Sequence, residues 1–533
     1  MLPMSIRLSR SGLGGLALLL LFVGAAAPAD LDLRLVNAAA EQNWTGVRGL
    51  LGAGVDVNQS RADRTTALIW AAHWDHRETV ELLLKAGAKV NAAEDHGVTA
   101  LARACENASV AVVETLLKAG ANPNLAQTTG LTPLMVAART GNMPVVQTLL
   151  SHGADVNART SSTGSTALMW AVSGRHHDLA QALIAAGANV HVSSDKGFTP
   201  LLYAARIGDI EAAKMLLAAG ARVDEAGSDG THALPLAVVN GQDQFAMLLL
   251  ERGADPNTTV DGVTALHAAA GDVSPWLSDW LRAHGGQRRN PRNLTVDRRL
   301  ALVKALIARG ANPNARISTS AVVLGYIATP RRGAFAGNAC GTGDVGGATP
   351  LWVAGLSLNG GGSFGVDYKP QINSSAEIVR ELLADGADHR ITTFDGTTAL
   401  MAAAGMGPRS YQPGKARGDR LEEAEAAVKI LVEAGADVNA INEGDFTALH
   451  AATYRGWNEV IQYLVEHGAN INARDYRGRT AFRLAEGAKQ SFEYQSWPET
   501  AELLRRLGAD TRLGISGLIF ERADRDLVSG GNQ

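Results

Sequence analysis

Apolar residues along this chain fall into short clusters that keep a fixed beat. In residues 130–158, GLTPLMVAARTGNMPVVQTLLSHGADVNA, Leu134, Ala137 and Ala138 take one helical face, and Val145, Val146, Leu149 and Leu150 form the stripe of a second helix. Thr132 stands where a helix N-cap is wanted, and Pro133 at the first helical position, where a missing N–H costs nothing. Gly141 ends the first helix, and Gly153 lies just past the second, where a left-handed C-cap favours glycine. Asp155-Val156-Asn157 begins the turn into the next unit.

The pattern recurs as GFTPLLYAARIGDIEAAKMLLAAGARVDE at 197–225 and as DFTALHAATYRGWNEVIQYLVEHGANINA at 445–473. The glycine closing each unit stands at 54, 87, 120, 153, 187, 220 and 253, spaced by 33 or 34 residues. With its TPL/TAL(H)xAA, LL and GAdvN elements at this period, the chain resembles the ankyrin repeat family. The threonine position falls at Thr66, Thr99, Thr132, Thr166, Thr199, His232, Thr264, Thr349, Thr398, Thr447 and Thr480. The resemblance implies an all-α solenoid of helix-turn-helix units with hairpin fingers, about eleven repeats plus an N-terminal capping unit. It is specific for fold and says little about function.

Two departures stand out. The family's histidine after TPL or TAL survives only at His267 and His450. His232 replaces the capping threonine in GTHALPLAV, so that repeat is expected to be looser. Sequons at Asn58 and Asn257 arise because the repeat itself places asparagine there, and are not read as glycosylation signals.

The beat fails after residue 270. The threonine-to-glycine distance, normally 21, becomes 46 from Thr264, 37 from Thr349 and from Thr398, and 28 from Thr480. The glycine-to-threonine distance, normally 12, becomes 39 from Gly310 to Thr349. Four insertions therefore separate the two helices of a unit, near 271–299, 355–375, 405–420 and 487–498, and one at 317–347 lengthens a finger. In the ankyrin fold the helix turns share one edge and the fingers the other. The insertions are expected to wall in the groove over the eighth to tenth units. They hold ten of the 27 aromatic residues and sum to +7, which leaves −11 for the rest of a chain of formal charge −4. Basic, aromatic loops on an acidic scaffold suit recognition.

In the first insertion Ser274 reads as an N-cap, Pro275 as the first helical position and Gly285 as the helix end. Trp276, Leu277, Trp280 and Leu281 then share one face. Either that face packs back onto the solenoid or it presents Trp276 and Trp280 as anchors. The QRRNPRN run at 287–293 reads either as a solvated basic loop or as a rim of Arg288, Arg289 and Arg292.

The N-terminus carries Arg7 and Arg10, an apolar run from Gly12 to about Ala27, and Ala27-Pro28-Ala29 before Asp30. This is the pattern of a cleaved secretory signal, with the cut after Ala29. The run is short for a membrane span, which needs roughly 20 apolar residues. Export to the periplasm or medium of a bacterium is the expectation, with no stable membrane insertion after cleavage. Cys105 falls at a small helix position and Cys340 in a Gly-rich stretch, six repeats apart at about 10 Å each, so they cannot bridge.

No catalytic constellation emerges, and no cofactor or metal is expected. His73 and His76 in HWDHRE, and His176-His177-Asp178, fall at turns between helices. GNACGTGDVGG and NGGGSFG lack the Gly-Lys-Ser/Thr ending of a phosphate loop, and no HExxH or CxxC is present. The charge is too mild to imply nucleic acid.

Ankyrin proteins bind through the residue before the capping threonine and the two after the first helix. Those positions include His73, Trp74, Glu106, Arg139, Phe198, Arg206, Phe446, Tyr454 and Arg455. With Trp276, Trp280, Arg288, Arg289, Arg292 and Tyr411 from the insertions, they form the candidate binding set for an acidic protein partner. The chain itself is expected to be a monomer or a complex subunit. An inhibitor or immunity protein, or a subunit of an envelope enzyme, is the alternative. The expected organisation is a signal at 1–29, a cap at 30–62, regular repeats at 63–270, repeats with insertions at 271–435, closing repeats at 436–513 and a tail at 514–533.

Overall fold

The computed structural model describes residues 32–284, 294–319, 344–358, 374–406, 421–490 and 493–514; the expected signal and tail, Arg288, Arg289, Arg292, Cys340 and Tyr411 lie outside them. The described chain is a stack of twelve helix pairs, a cap (Arg34–Ala40 with Trp44–Gly52) and eleven repeats. Inner helices pack on inner helices of the neighbouring repeats and outer on outer, so one core runs the length of the array.

The third repeat shows why the sequence folds this way. Thr132 Oγ1 accepts the Met135 N–H at 3.3 Å, and Pro133 opens the inner helix Pro133–Thr140. Gly141 turns the chain with φ of 75°, and Asn142 caps the outer helix Met143–Ser151 through Val145 N–H at 3.0 Å. Val145, Val146 and Leu149 are buried against the inner layer. The threonine hydroxyl caps its helix at ten of the eleven positions. His232 makes no side-chain cap. Its helix is nonetheless as buried as its neighbours, because Leu234 and Leu236 fill the same core positions.

The asparagine of each GADVN turn ties one repeat to the next. Asn58 Oδ1 accepts the Lys89 N–H at 2.8 Å while its amide donates to Gly87 O at 3.2 Å. Asn257 makes the same pair with Asn312 and Gly310, 2.7 and 3.1 Å, across the first insertion. Asn314 does so with Asp388 and Gly386, at 2.7 and 2.9 Å. The solenoid thus continues without a break beneath its loops.

The insertions leave that array at defined roots. The first and third emerge side by side, with the Asp272 N–H donating to Ser357 Oγ at 2.8 Å. The finger insertion is pinched at its neck, where Ile317 accepts from Gly347 and donates to Ala348. The fifth contains a hairpin, Ala488–Gln490 paired antiparallel with Glu493–Gln495. The first departs from expectation. Residues 271–284 do not stand beside the groove but run back along the inner-helix side to the fingers of the sixth and fifth repeats. Its helix is Ser278–Ala283, later than the Pro275 start expected, because the Val273 carbonyl accepts both the Trp276 and Leu277 N–H and forms a turn instead. We call this short element the crossing helix.

Candidate binding face

At the N-terminal end the inner face is aromatic and open. Trp70, His73 and Trp74 cluster, with the two indoles stacked at 6.4 Å and the Arg61 guanidinium 5.4 Å from the Trp70 ring. Trp74 is 39% exposed although its Nε1 donates to Ala40 O. Glu106 is paired with Arg103 at 2.9 Å. Arg139 is exposed and makes no hydrogen bond or ion pair with the described residues. Trp170 is half-buried in the fourth repeat.

Over the fifth to eighth repeats the crossing segment packs on the inner side. Trp276 is 3% exposed: its Nε1 donates to Val345 O at 3.2 Å and its ring meets Trp352 edge-on at 6.0 Å. The outward-anchor reading of Trp276 is corrected, for it is core. Half-buried Trp280 donates to Asp229 Oδ2 at 3.1 Å and stacks on His284 at 4.3 Å. The His284 ring lies 5.4 Å from Phe198, with its Nε2 3.1 Å from both Lys196 O and Asp229 Oδ2. Lys196 Nζ in turn donates to Ala283 O at 3.2 Å. Phe198 is 2% exposed, a second correction to the open-face reading: the residue before the capping position is buried in other repeats too, as at Val98, Val263 and Phe446. Arg206 lies over the Phe198 and Tyr203 rings at 5.1 and 5.2 Å.

Electrostatics follow the contacts. Burial opposes ionisation of Asp229, but hydrogen bonds from Thr231 and Trp280 outweigh it and hold the carboxyl below its usual range. Asp261, on the next finger, is pushed up by burial and by the Asp279 and Asp229 carboxylates.

At the C-terminal end Tyr454 and Phe446 are also buried, correcting their place in the open face. The Tyr454 hydroxyl accepts from Arg479 at 3.0 Å, and Arg479 is held by Asp475 at 2.8 Å. Arg455 is half-buried, donates to Gly405 O at 2.9 Å and lies over Trp457. Trp497, from the fifth insertion, donates to Tyr454 O at 3.3 Å. Of the turn histidines, His76 and His177 serve the fold: His76 Nδ1 accepts from Thr79 N–H, and His177 pairs with Asp209 at 2.8 Å. Among the described residues no group of three His, Cys, Asp or Glu is arranged to hold a metal, and no helix is long and apolar enough to cross a membrane.

Lys196, Asp229 and His284 carry no local signal in the sequence, since their role depends on where a segment more than fifty residues away comes to lie.

A stack of capped helix pairs with a continuous inner face and projecting fingers defines a solenoid interaction module. The family model of ankyrin repeats (3 copies) matches residues 35–127, 119–194, 178–260, 201–293 and 421–510, and the chain belongs to the ankyrin repeat family. Those matches leave out 294–420, where three insertions fall, yet helix pairs continue there. The chain is 36% identical over 142 residues to the Neurogenic locus Notch protein of Drosophila melanogaster, 26% of this chain and 5% of that one. It is 33% identical over 110 residues to Ankyrin repeat and SAM domain-containing protein 6 of Rattus norvegicus, 20% of this chain and 11% of that one. It therefore spans only a small part of these relatives. The human ASB11 ankyrin repeat domain matches 42% of this chain and 98% of its own at 29% identity, with a TM-score of 0.37.

Proposed function

We propose that this chain is an exported, non-catalytic scaffold that holds an acidic protein partner on the inner face of its first four repeats and on a groove bounded by its inserted loops. The observation that carries the reading is the inner face itself. Exposed Trp74 and unpaired Arg139 occupy the positions through which ankyrin arrays make contact, and a purely solvated surface needs neither. The basic run Arg288, Arg289 and Arg292 supports an acidic partner and a salt-sensitive association rate. Arg288, Arg289, Arg292 and Tyr411 belong to this proposal as the loop contribution.

Crosslinking capture from the envelope fraction identifies the partner. Trp74→Ala should then speed dissociation and Arg139→Glu slow association. Wild-type kinetics in both variants would move the site off the first repeats. Export is checked by the intact mass of the mature protein: a species retaining residues 1–29 counts against cleavage after Ala29.

A further inference from the structure

We propose that the cleft between the fingers of the fifth and sixth repeats is a second ligand site, one that takes a peptide segment carrying a tryptophan and a second ring one helical turn later, and that the chain holds it shut in cis with Trp280 and His284. The proposal extends the inner-face reading of binding to a surface that this reading leaves covered.

The walls of the cleft are held by contacts that do not involve its occupant. Phe198 forms its floor, with Arg206 laid over the Phe198 and Tyr203 rings. Asp229 is set by Thr231, whose N–H and hydroxyl donate to it at 3.0 and 2.8 Å. The Lys196 carbonyl on the neighbouring finger supplies a second acceptor. An apolar floor with two acceptors at its edge suits aromatic rings that carry N–H donors. Trp280 and His284 satisfy that description: four residues apart, they share one helix face, and each sends a ring nitrogen to an edge acceptor.

The occupant has a fixed root and a looser tip. Trp276, Leu277 and Ser278 are buried in the core. The helix, Ser278–Ala283, is six residues long, and past Ser278 Trp280 is half-buried and Asp279 is exposed. A helix so short has little stability of its own. The tip can therefore leave the cleft while the root stays. The tether keeps it at an effective concentration on the order of millimolar, so a competing segment engages only by displacing it.

The test uses the whole mature chain and a fluorescein-labelled peptide of residues 278–284, SDWLRAH. The Trp280→Ala/His284→Ala double variant should bind the peptide saturably, and wild type at least tenfold more weakly. Adding Asp229→Ala to the opened variant, or replacing the peptide's tryptophan by alanine, should abolish binding. Equal binding to wild type and opened chain, or binding to neither, overturns the proposal. Hydrogen exchange on the wild type is independent of whether the variants fold. Amides of residues 281–284 should exchange at least a hundredfold faster than those of Trp276 and Leu277, and uniform protection of the two groups overturns the tip-and-root description. Neither measurement needs the natural partner, so a failed capture experiment leaves this result standing, and the reverse holds too.

Discussion

Replacing Arg299 by methionine should cost this protein about 3 kcal/mol and open it in the middle. Arg299 sits on the outer helix Val296–Ala308 of the seventh repeat and is 1% exposed. Its Nη1 donates to Ala268 O at 2.7 Å and lies 3.2 and 3.3 Å from Gly271 O and Ala269 O, carbonyls at the end of the inner helix Ala265–Ala270 and of the residue that follows it. Regular repeats cover those carbonyls with the N–H groups of a tight turn, as where Asn142 N–H reaches Ala137 O. Here the chain leaves Gly271 extended, with φ of −179°, to start the crossing segment, and the guanidinium takes the turn's place. Burial works against it, lowering its pKa to about 10 from 12.5, which is equivalent to roughly 3 kcal/mol against the charged form. Methionine would relieve that term and strip three buried carbonyls, at about 1–3 kcal/mol each, so the loss outweighs the relief. Each repeat touches mainly its neighbours, so the damage should appear as a split transition and not a uniform shift. The assay is urea unfolding followed by circular dichroism and tryptophan fluorescence, with hydrogen exchange across 265–308. An unchanged or raised midpoint would mean that desolvation of the guanidinium dominates, and the reasoning would fail.

Three further outcomes follow from the same packing. His267 is fully buried and neutral, its Nδ1 2.7 Å from Thr264 Oγ1 and its Nε2 donating to Ala315 O and Ala348 O at 3.1 Å, and burial lowers its pKa from 6.5 to about 4. The unfolded chain binds the proton first, so stability should be full above pH about 6.5 and fall by roughly 3 kcal/mol as pH drops toward 4; a His267→Gln variant keeping the whole slope in urea midpoints would refute this. Trp276→Ala should lower stability by about 3–5 kcal/mol through the cavity it leaves, and a binding defect at unchanged melting temperature would restore the anchor reading. His232→Thr should supply the missing cap and raise stability by about 0.5–1 kcal/mol, measured by calorimetry; a loss would show that the contact of His232 Nδ1 with Thr259 O, 3.2 Å, matters more.

The repeat was legible because its rules are local. A threonine, a proline and a glycine at fixed offsets specify a helix pair whatever the rest of the chain does, and the asparagine ladder explains why residues 58 and 257 are asparagine. Phe198 shows the limit. The family resemblance marks its position as contact surface, yet that position is buried in other repeats here as well, and its ring is met by His284 some eighty residues further on. No local periodicity encodes which way an insertion folds. Arg299 lies between these cases. With Leu302, Val303 and Leu306 it occupies the i, i+3, i+4, i+7 stripe of its helix, so its burial was written in the spacing, while its charge concealed it.

The crossing segment also changes what kind of object the array is. A pure solenoid has contacts only between neighbours, and its stability is close to a sum over repeats and their interfaces. Trp280 and His284 add hydrogen bonds that span 51 and 88 residues, joining the seventh repeat to the sixth and the fifth. Trp276 joins the same segment to Val345 and Trp352 of the eighth. Four repeats thus share one strap, inserted where the end of the inner helix Ala265–Ala270 depends on Arg299. A ligand that lifts the tip removes the ties to the fifth and sixth repeats and leaves those to the eighth, so binding at the cleft and the mechanical coupling of the two halves are one equilibrium. That coupling, more than the number of repeats, distinguishes this chain from a regular stack.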